Sequence, residues 1–571
     1  MTKRNARSGL YIRLSIIAGA AVLAVATVAF SGIPYGNDLT QHYQFAATVN
    51  EALANGEFYP SLSPAANSGV GDYGLRFYPP LAYYALAIAF KATGGWYAAS
   101  ILVFFLAYFA GGIGVYLWAR EELTGIAPTL AAVLFILAPY HLNQIYNNFL
   151  FAEFAASAVI PFCFLFVHRT AARPSFSAAA GLGLSYGLLV LTHLPSLIFC
   201  SLAFAVYGVV VLYRSRNWIR SGLALAGGVI AGISATSFYW IKLVTELEWI
   251  RHARQEYFSD IYSYTNNFLL NPSTFTSIAE DVQAIWLGDL MLLATLLIAV
   301  PSSILLFRQR REAGTLVVAS FVTMIFAAFF SSVLSTPLWD YVAFLQKIQF
   351  PWRWMGVVSV TAAVFAAYGI ARAGELMKEK EAGVVLPLVL TAGVLIYALI
   401  SVFVTKQSVF IPAAEFSNEK VEAMHTAPSR DCWWTVWAEE GFYKETGSEV
   451  TLKNRSFRVR RWDTLEKQIG VWPGPETEAV FSILYYPHWR AYADEERISV
   501  ENTDSGLIRV TVPQDAKSIT LRFREPNEVR TAAIVSASAF SLIAFVLVIS
   551  LARRTFRKED EGTEGRPQIS N

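Results

Sequence analysis

The sequence predicts a polytopic α-helical membrane protein with about twelve spans and a small β-rich domain near its C-terminal end. Three observations carry this. Of the 571 residues, 55% are hydrophobic and only 15% are charged, against roughly 25% charged in soluble domains. Apolar runs of about 17–25 residues, enough to cross a bilayer, recur along most of the chain. Basic residues gather in short clusters between those runs, and one long polar stretch, 406–529, breaks the pattern.

The first apolar run, near 11–32, follows Lys3, Arg4 and Arg7. This resembles a signal peptide, but the run is longer than the roughly 7–15 residues of a signal h-region, so an uncleaved first helix is expected. Further spans are expected near 95–118, 126–142, 154–168, 175–192, 195–213, 219–243, 285–306, 314–333, 352–371, 384–404 and 530–552. Basic clusters fall at the N-terminus, at Arg120, Arg169/Arg173, Arg214/Arg216/Arg220, Arg308/Arg310/Arg311, Arg372/Lys378/Lys380 and Arg553/Arg554/Arg557/Lys558. With twelve spans all of them land on one side, which the positive-inside rule makes cytoplasmic, together with both termini and the tail 553–571. The apolar run 81–90 is too short to cross and follows Pro79 and Pro80. It is expected to lie in the outer interface. Were it to span, every later basic cluster would face the wrong way.

Polar and titratable residues then collect on the outer side, in loops 33–94, 140–153, 244–284 and 334–351. The opposite face keeps short basic turns. The stretch 406–529 carries alternating runs at 480–486, 506–512 and 518–523, separated by turn residues, and reads as a β-rich, sandwich-like outer domain tethered by the last span 530–552. The tail 566–571 is polar and expected to be disordered.

Several chemistries are excluded. Cys163, Cys200 and Cys432 have neither CxxC nor metal-ligand spacing. There is no GxxxxGK[ST], no HExxH and no basic stripe of the kind that binds nucleic acid. A net charge of +2 leaves partners open.

The residues that can carry chemistry lie on the outer side. Asp38 follows the first span directly, and His42 lies one helical turn on, on the same face. Asp38 can cap a helix start, or act as a general base on an acceptor hydroxyl; the two readings coexist. His42 can orient Asp38 or help hold a metal. Glu153 opens a span, where an ionisable group usually faces a cavity, although an acid also suits a helix N-terminus. His193 stands at an outer helix end, as a site residue or as a histidine bonded to a neighbouring carbonyl. Arg353 sits between Trp352 and Trp354 at the outer entrance of a span. It can snorkel beside an aromatic belt, or grip a phosphate through its guanidinium fork. Arg76 and Lys347 can add charge there.

The runs Phe77-Tyr78-Pro79-Pro80-Leu81, Ala138-Pro139-Tyr140-His141, Leu191-Thr192-His193 and Gln349-Phe350-Pro351-Trp352-Arg353, in this order behind an acid that follows helix one, resemble a branch of the GT-C-type membrane glycosyltransferases. That branch is the bacterial membrane family labelled 6-pyruvoyl-tetrahydropterin synthase-related. The run Tyr485-Tyr486-Pro487-His488-Trp489-Arg490-Ala491-Tyr492 is similar to YfhO-like proteins, which carry an outer β-domain before a last helix. The resemblance implies a GT-C-like transmembrane domain over 1–405, with a catalytic first outer loop. It implies transfer of a sugar from a polyprenyl-phosphate-linked donor to a glycan, lipid or protein acceptor outside the cytoplasmic (inner) membrane. By family position Asp38 is the catalytic base, Glu153 the second-loop acid and Arg353 a donor-phosphate contact. Tyr78 and His141, within these motifs, join His42, Arg76, His193 and Lys347 as candidate substrate contacts. Many GT-C enzymes carry paired acids in the first loop; here Asn37 precedes Asp38 and Leu39 follows, so no metal or other cofactor is assigned.

Two other classes remain. A transporter or flippase would place acids or broken helices at mid-membrane. A non-catalytic envelope assembly protein would leave Asp38, Glu153 and Arg353 apart.

Overall fold

The computed structural model describes residues 3–273, 280–308, 313–378, 385–444 and 448–563. Arg310, Arg311, Lys380 and the tail 566–571 lie outside the described residues. The helices are α1 (Lys3–Ser31), α2 (Leu39–Ala54), α3 (Gly74–Phe77), α4 (Leu81–Thr93), α5 (Trp96–Ala119), α6 (Ala127–Ile136), α7 (Pro139–Tyr146), α8 (Phe151–Ala172), α9 (Phe176–Val190), α10 (Leu194–Tyr213), α11 (Trp218–Ala235), α12 (Ser237–Glu246), α13 (Glu280–Arg308), α14 (Thr315–Ser331), α15 (Thr336–Tyr341), α16 (Ala343–Gln346), α17 (Met355–Lys378), α18 (Val385–Lys406), α19 (Asn418–Thr426) and α20 (Asn527–Thr563). Among the described residues, nine helices are long and apolar enough to cross a membrane. They are α1, α5, α8, α10, α11, α13, α17, α18 and α20, the spanning stretch of α17 beginning at Pro351.

The remaining expected spans differ. Those at 175–192 and 314–333 fold as α9 and α14, of 15 and 17 residues. The one at 126–142 breaks into α6 and α7, because Pro139 lacks an N–H and Ala138 before it turns extended (φ −60°, ψ 134°). The one at 219–243 breaks at Thr236, whose hydroxyl bonds back to the Gly232 carbonyl at 3.0 Å. The break lets α12 lean on α20, where the Ser237 and Ser536 hydroxyls meet at 2.9 Å and the Phe238 N–H donates to Ser536. The run 81–90 forms α4, 13 residues long, about 20 Å at 1.5 Å per residue and short of a bilayer's roughly 30 Å.

α17 runs through the middle of the bundle against α6, α13 and α14, and its central turns are buried almost throughout. α5 packs on α1, α6 and α8, and α8 on α9 and α10. The pair α9 and α11 packs closely: a Cβ on Gly232 would stand 2.7 Å from the Gly183 carbonyl oxygen. Small residues are what let helices approach this closely in lipid, where no hydrophobic force draws them together. At one end of the bundle, Glu121 pairs with Arg169 (2.6 Å) and Arg173 (3.2 Å), and Glu122 accepts the Leu316 N–H at 2.8 Å. The basic ends of α5, α8 and α10 therefore share one side with the starts of α9, α11 and α14.

The other end carries the long loops and the C-terminal region. Strands β1 (Ile33–Pro34) and β2 (Phe410–Ile411) pair antiparallel and tie the exits of α1 and α18 together. Nine further strands, β3 (Val450–Leu452), β4 (Phe457–Trp462), β5 (Glu466–Val471), β6 (Thr477–Leu484), β7 (Trp489–Ala493), β8 (Glu496–Ile498), β9 (Glu501–Asn502), β10 (Leu507–Val512) and β11 (Ser518–Phe523), form two antiparallel sheets of order β3-β6-β10-β9 and β4-β5-β11-β7-β8. Ile469, Phe481, Ile508, Val510, Ile519 and Leu521 are among the buried side chains of these strands. Residues 412–449 hold no strand among those described; they are helical or irregular, and α19 packs on α2 of the first loop.

Arg76 joins these parts. It is fully buried and bonds Glu246 in bidentate fashion (2.6 and 2.8 Å) and Glu525 likewise (2.7 and 2.7 Å). Tyr486 donates to Glu246 at 2.6 Å, and Ser61 to Glu525 at 2.5 Å. Both acids are saturated, so Arg76 has no fork left for a phosphate. Its expected place among the substrate contacts is corrected to that of a clamp between the first loop, α12 and the β-domain.

Burial pushes the Glu246 and Glu525 carboxyls up, but hydrogen bonds, from His488 and Arg76 to the first and from Arg76 to the second, outweigh it and bring both to about 2. A carboxyl lowered in the fold stabilises it above its unfolded value and ceases to do so as pH falls through the folded one. The clamp's contribution is thus complete above pH about 4.5 and fades between about 4.5 and about 2. Thermal unfolding of the detergent-solubilised protein should show Tm falling in this window, and a smaller fall in the double variant E246Q/E525Q.

Candidate functional site

The sharp return from α1 sets Asp38. A Cβ on Gly36 would stand 2.6 Å from the Asn148 carbonyl carbon, so glycine permits the first loop to lie against the second. Asp38 occupies the N-cap position of α2, yet its side chain makes no capping bond. The carboxylate instead meets the Arg430 guanidinium at 2.9 Å, with the Asp38 side chain 30% exposed. Arg430 also donates to the Asn37 carbonyl, and its backbone N–H donates to Gln41 at 3.2 Å.

His42 lies one turn further, buried, with Nδ1 2.8 Å from the Tyr83 hydroxyl. Burial holds its imidazole down, to about 4; the Asp38 charge opposes this and Arg430 adds to it. The ring is therefore neutral at pH 7, and its Nε2 has no hydrogen-bond partner among the described residues.

Glu153 begins α8 just after Phe149, whose φ of +51° reverses the chain. It is buried; Oε1 accepts from Tyr140 (2.5 Å) and Gln144 (3.1 Å). Arg353 approaches from the turn before α17, entered through Gln349 at φ +66°. Its Nε stands 3.2 Å from Glu153 Oε2. The two charges touch, but the approach is misaligned, and neither atom has a hydrogen-bond partner among the described residues. The guanidinium carbon sits 4.7 Å and 5.7 Å from the ring centres of Phe350 and Trp352.

Tyr78 and His193 lie between these groups. The Tyr78 ring meets His42 edge-on at 6.1 Å. Burial raises the Tyr78 phenol first, and the charges of Asp38 and Glu153 raise it while Arg353 lowers it, so all three charges act on one hydroxyl. His193 caps α10 through Nδ1, which accepts the Ser196 N–H at 3.3 Å. It is held down by burial, then by Arg353 and His42. Lys347 stands further out, exposed, its ammonium 4.0 Å above the Phe258 ring. Its charge acts, with that of Arg353, on His252.

Asp38, His42, Tyr78, Glu153, His193 and Arg353 thus gather at one end, with Lys347 at the rim. Two expected contacts do not. Arg76 is spent in its clamp. The His141 ring stacks on Phe135 at 4.5 Å between Tyr108 and Phe154, with Nδ1 on the Phe135 carbonyl at 3.1 Å. The break at Pro139 turns it into the aromatic core, so His141 is corrected to a packing residue. Three pairings were not assigned from the sequence: Arg430 on Asp38, Tyr83 on His42, and Gln144 on Glu153, although Gln144 stands with Glu153 in the polar second loop. Among the described residues no three His, Cys, Asp or Glu side chains are grouped to hold a metal ion.

Residues 75–409 match the family described as 6-pyruvoyl-tetrahydropterin synthase related domain; membrane protein. An uncharacterized protein of Lactococcus lactis subsp. cremoris (strain MG1363) is 24% identical over 251 residues, 41% of this chain; the match spans only 38% of that protein's length. Among solved structures, the chain is similar to the archaeal oligosaccharyltransferase AglB from Archaeoglobus fulgidus, in complex with an inhibitory peptide and a dolichol-phosphate. The identity is 14%, the TM-score 0.39, and the coverage 70% of this chain and 56% of that one. It is also similar to ArnT from Cupriavidus metallidurans in the apo state, at 13% identity and TM-score 0.28, over 65% of this chain and 79% of that one. At such identities and TM-scores the likeness leaves donor, acceptor and reaction open.

Proposed function

The chain belongs to the 6-pyruvoyl-tetrahydropterin synthase related membrane family, and from that premise and the geometry of its loop-bearing end we propose that it is a membrane glycosyltransferase. In this reading it takes a sugar from a polyprenyl-phosphate-linked donor and passes it to an acceptor hydroxyl outside the cytoplasmic membrane. One observation carries the proposal: a part-exposed carboxylate, a neutral histidine with a free nitrogen and a buried, imperfectly spent acid–guanidinium pair come together from three distant segments at one end of the bundle.

Each group has a task. Asp38 takes the proton of the acceptor hydroxyl as its oxygen attacks the anomeric carbon. The bond from that carbon to the phosphate oxygen breaks, and the phosphate leaves with the electron pair. Arg353 Nε, free of any well-aligned hydrogen bond, faces that phosphate, and a guanidinium fork suits it. Glu153, fixed by Tyr140 and Gln144, holds the guanidinium in place. Arg430 occupies the Asp38 carboxylate before substrate arrives and turns to the donor phosphate when the acceptor takes its place. His42 and Tyr78 position the sugar. Positioning and charge stabilisation at a phosphate leaving group lower the barrier without a covalent intermediate.

A transporter fits less well. Glu153 and Asp289 lie in the first turns of their apolar stretches rather than at mid-span, and Asp289 is engaged by the Leu270 N–H at 2.6 Å. The test is a transfer assay with polyprenyl-phosphate-linked sugars and the purified protein in liposomes. R353K keeps the charge and loses the fork, and is expected to lose roughly tenfold or more in kcat/KM, the worth of one charge-assisted hydrogen bond, with Tm nearly unchanged. Equal kcat/KM in wild type and R353K would remove the phosphate role. Counter-flow of the intact donor without transfer would favour the transporter.

A further inference from the structure

We propose a second ligand site at the basic end of the bundle, which holds the phosphate of an anionic membrane lipid. α8 and α10 carry Glu153 and His193 at their starts and the new site at their finishes, some 30 Å away at 1.5 Å per residue. A cavity of about 740 Å³ opens there between the ends of α8 and α10 and the starts of α9, α11 and α14. Among the described residues, Arg173, Arg214, Arg216 and Arg220 line it against one acid, Glu122.

Among the described residues the charge at this cavity is not balanced. Arg173 is shared with Glu121 at 3.2 Å, and Arg214 donates to the Ala313 carbonyl at 3.3 Å. Glu122 is committed to the Leu316 N–H and approaches His168 at 3.6 Å. Arg216 and Arg220 have no acidic partner among the described residues. Two guanidinium groups without acidic partners in one concave site suit a phosphate oxygen cluster, which they can grip by paired N–H donors.

The surroundings select a lipid over a free anion. Tyr213 is 91% exposed, Trp218 64% and Leu223 70%, on α10 and α11, the two helices joined by the turn that carries Arg214 and Arg216. Aromatic rings beside basic residues settle at the headgroup level of a bilayer, with aliphatic side chains below them. Basic pockets between spanning helices on the cytoplasmic side are where anionic headgroups bind. Arg214, Arg216 and Arg220 thus hold the phosphate while acyl chains run down the exposed face of α11.

The experiment uses the full chain, delipidated in detergent, with native mass spectrometry as the readout and dioleoylphosphatidylglycerol as the probe. Wild type should take up the lipid saturably and take up dioleoylphosphatidylcholine far less. R216Q/R220Q should weaken phosphatidylglycerol uptake roughly tenfold or more, and the single variant R220Q by an intermediate factor, which keeps the test alive should the double variant misfold. R120Q removes an exposed charge at the same end that does not line the cavity, and should bind as wild type does. Equal loss in R120Q, or equal uptake of the two lipids, would mean unspecific charge attraction and overturn the site. Displacement of the lipid by millimolar inorganic phosphate would overturn the lipid assignment in favour of a soluble anion.

Discussion

Asn in place of Asp38 is expected to lower the rate of sugar transfer by roughly 10²- to 10⁴-fold, the range supplied by a positioned general base. The substitution keeps shape and size, and the side chain makes no capping bond to lose. What it removes is the ability to take a proton and the charge that faces Arg430 at 2.9 Å. That pair is part exposed on both sides, 42% and 30%, so its loss should cost at most about 1 kcal/mol of stability. The signature is therefore a fallen kcat with a nearly unchanged Tm and unchanged donor binding. Wild-type transfer by D38N would strike Asp38 from the reaction. A matching fall in Tm would make it a structural residue instead. R430Q separates the two further: it leaves the base in place and frees it, so it should retain proton transfer but bind donor phosphate less well.

The second large effect is on stability. R76M removes a fully buried guanidinium from two carboxylates, Glu246 (1% exposed) and Glu525 (26%). An unpaired buried charge costs about 3–5 kcal/mol, so R76M should lower Tm sharply and open the junction between the first loop and the β-domain to protease. The triple variant R76M/E246Q/E525Q removes the arginine and both acids and leaves the buried Lys242, whose Nζ stands 3.9 Å from Glu525 Oε1; much of the loss should return, because neutral replacement of a buried ion cluster is often close to neutral. If R76M unfolds like wild type, the clamp does not hold the junction. If the triple variant is no better than R76M, packing against Tyr486 and Phe523, whose ring centres lie 5.6 Å from the guanidinium, matters more than charge.

Asp38, Glu153 and Arg353 were visible in the sequence for one reason. Each is an ionisable residue set against an apolar run, where it is costly unless it has a task. Tyr78 and His193 were visible only through short motifs. His141 shared such a motif and still went into the core, because the Pro139 break rotates α7 in a way that spacing does not reveal. Arg76 was misread because the acids that satisfy it stand 170 and 449 residues away. Arg430 escaped notice inside a polar stretch read as strand-rich. Residues 412–444 have no strand alternation and fold instead as a cover over the first loop, which puts Arg430 beside a carboxylate almost four hundred positions earlier.

By itself the sequence determined that the chain lives in a membrane, where its long apolar helices run though not where two of them break, which end is basic, and which acids and arginines are out of place in lipid. Those follow from solvation and from local backbone preference, which act residue by residue. Tertiary structure alone decided which charges meet. A guanidinium in low dielectric is held by whichever carboxylate packing delivers, so Arg353 kept a nitrogen to offer while Arg76 spent its whole fork.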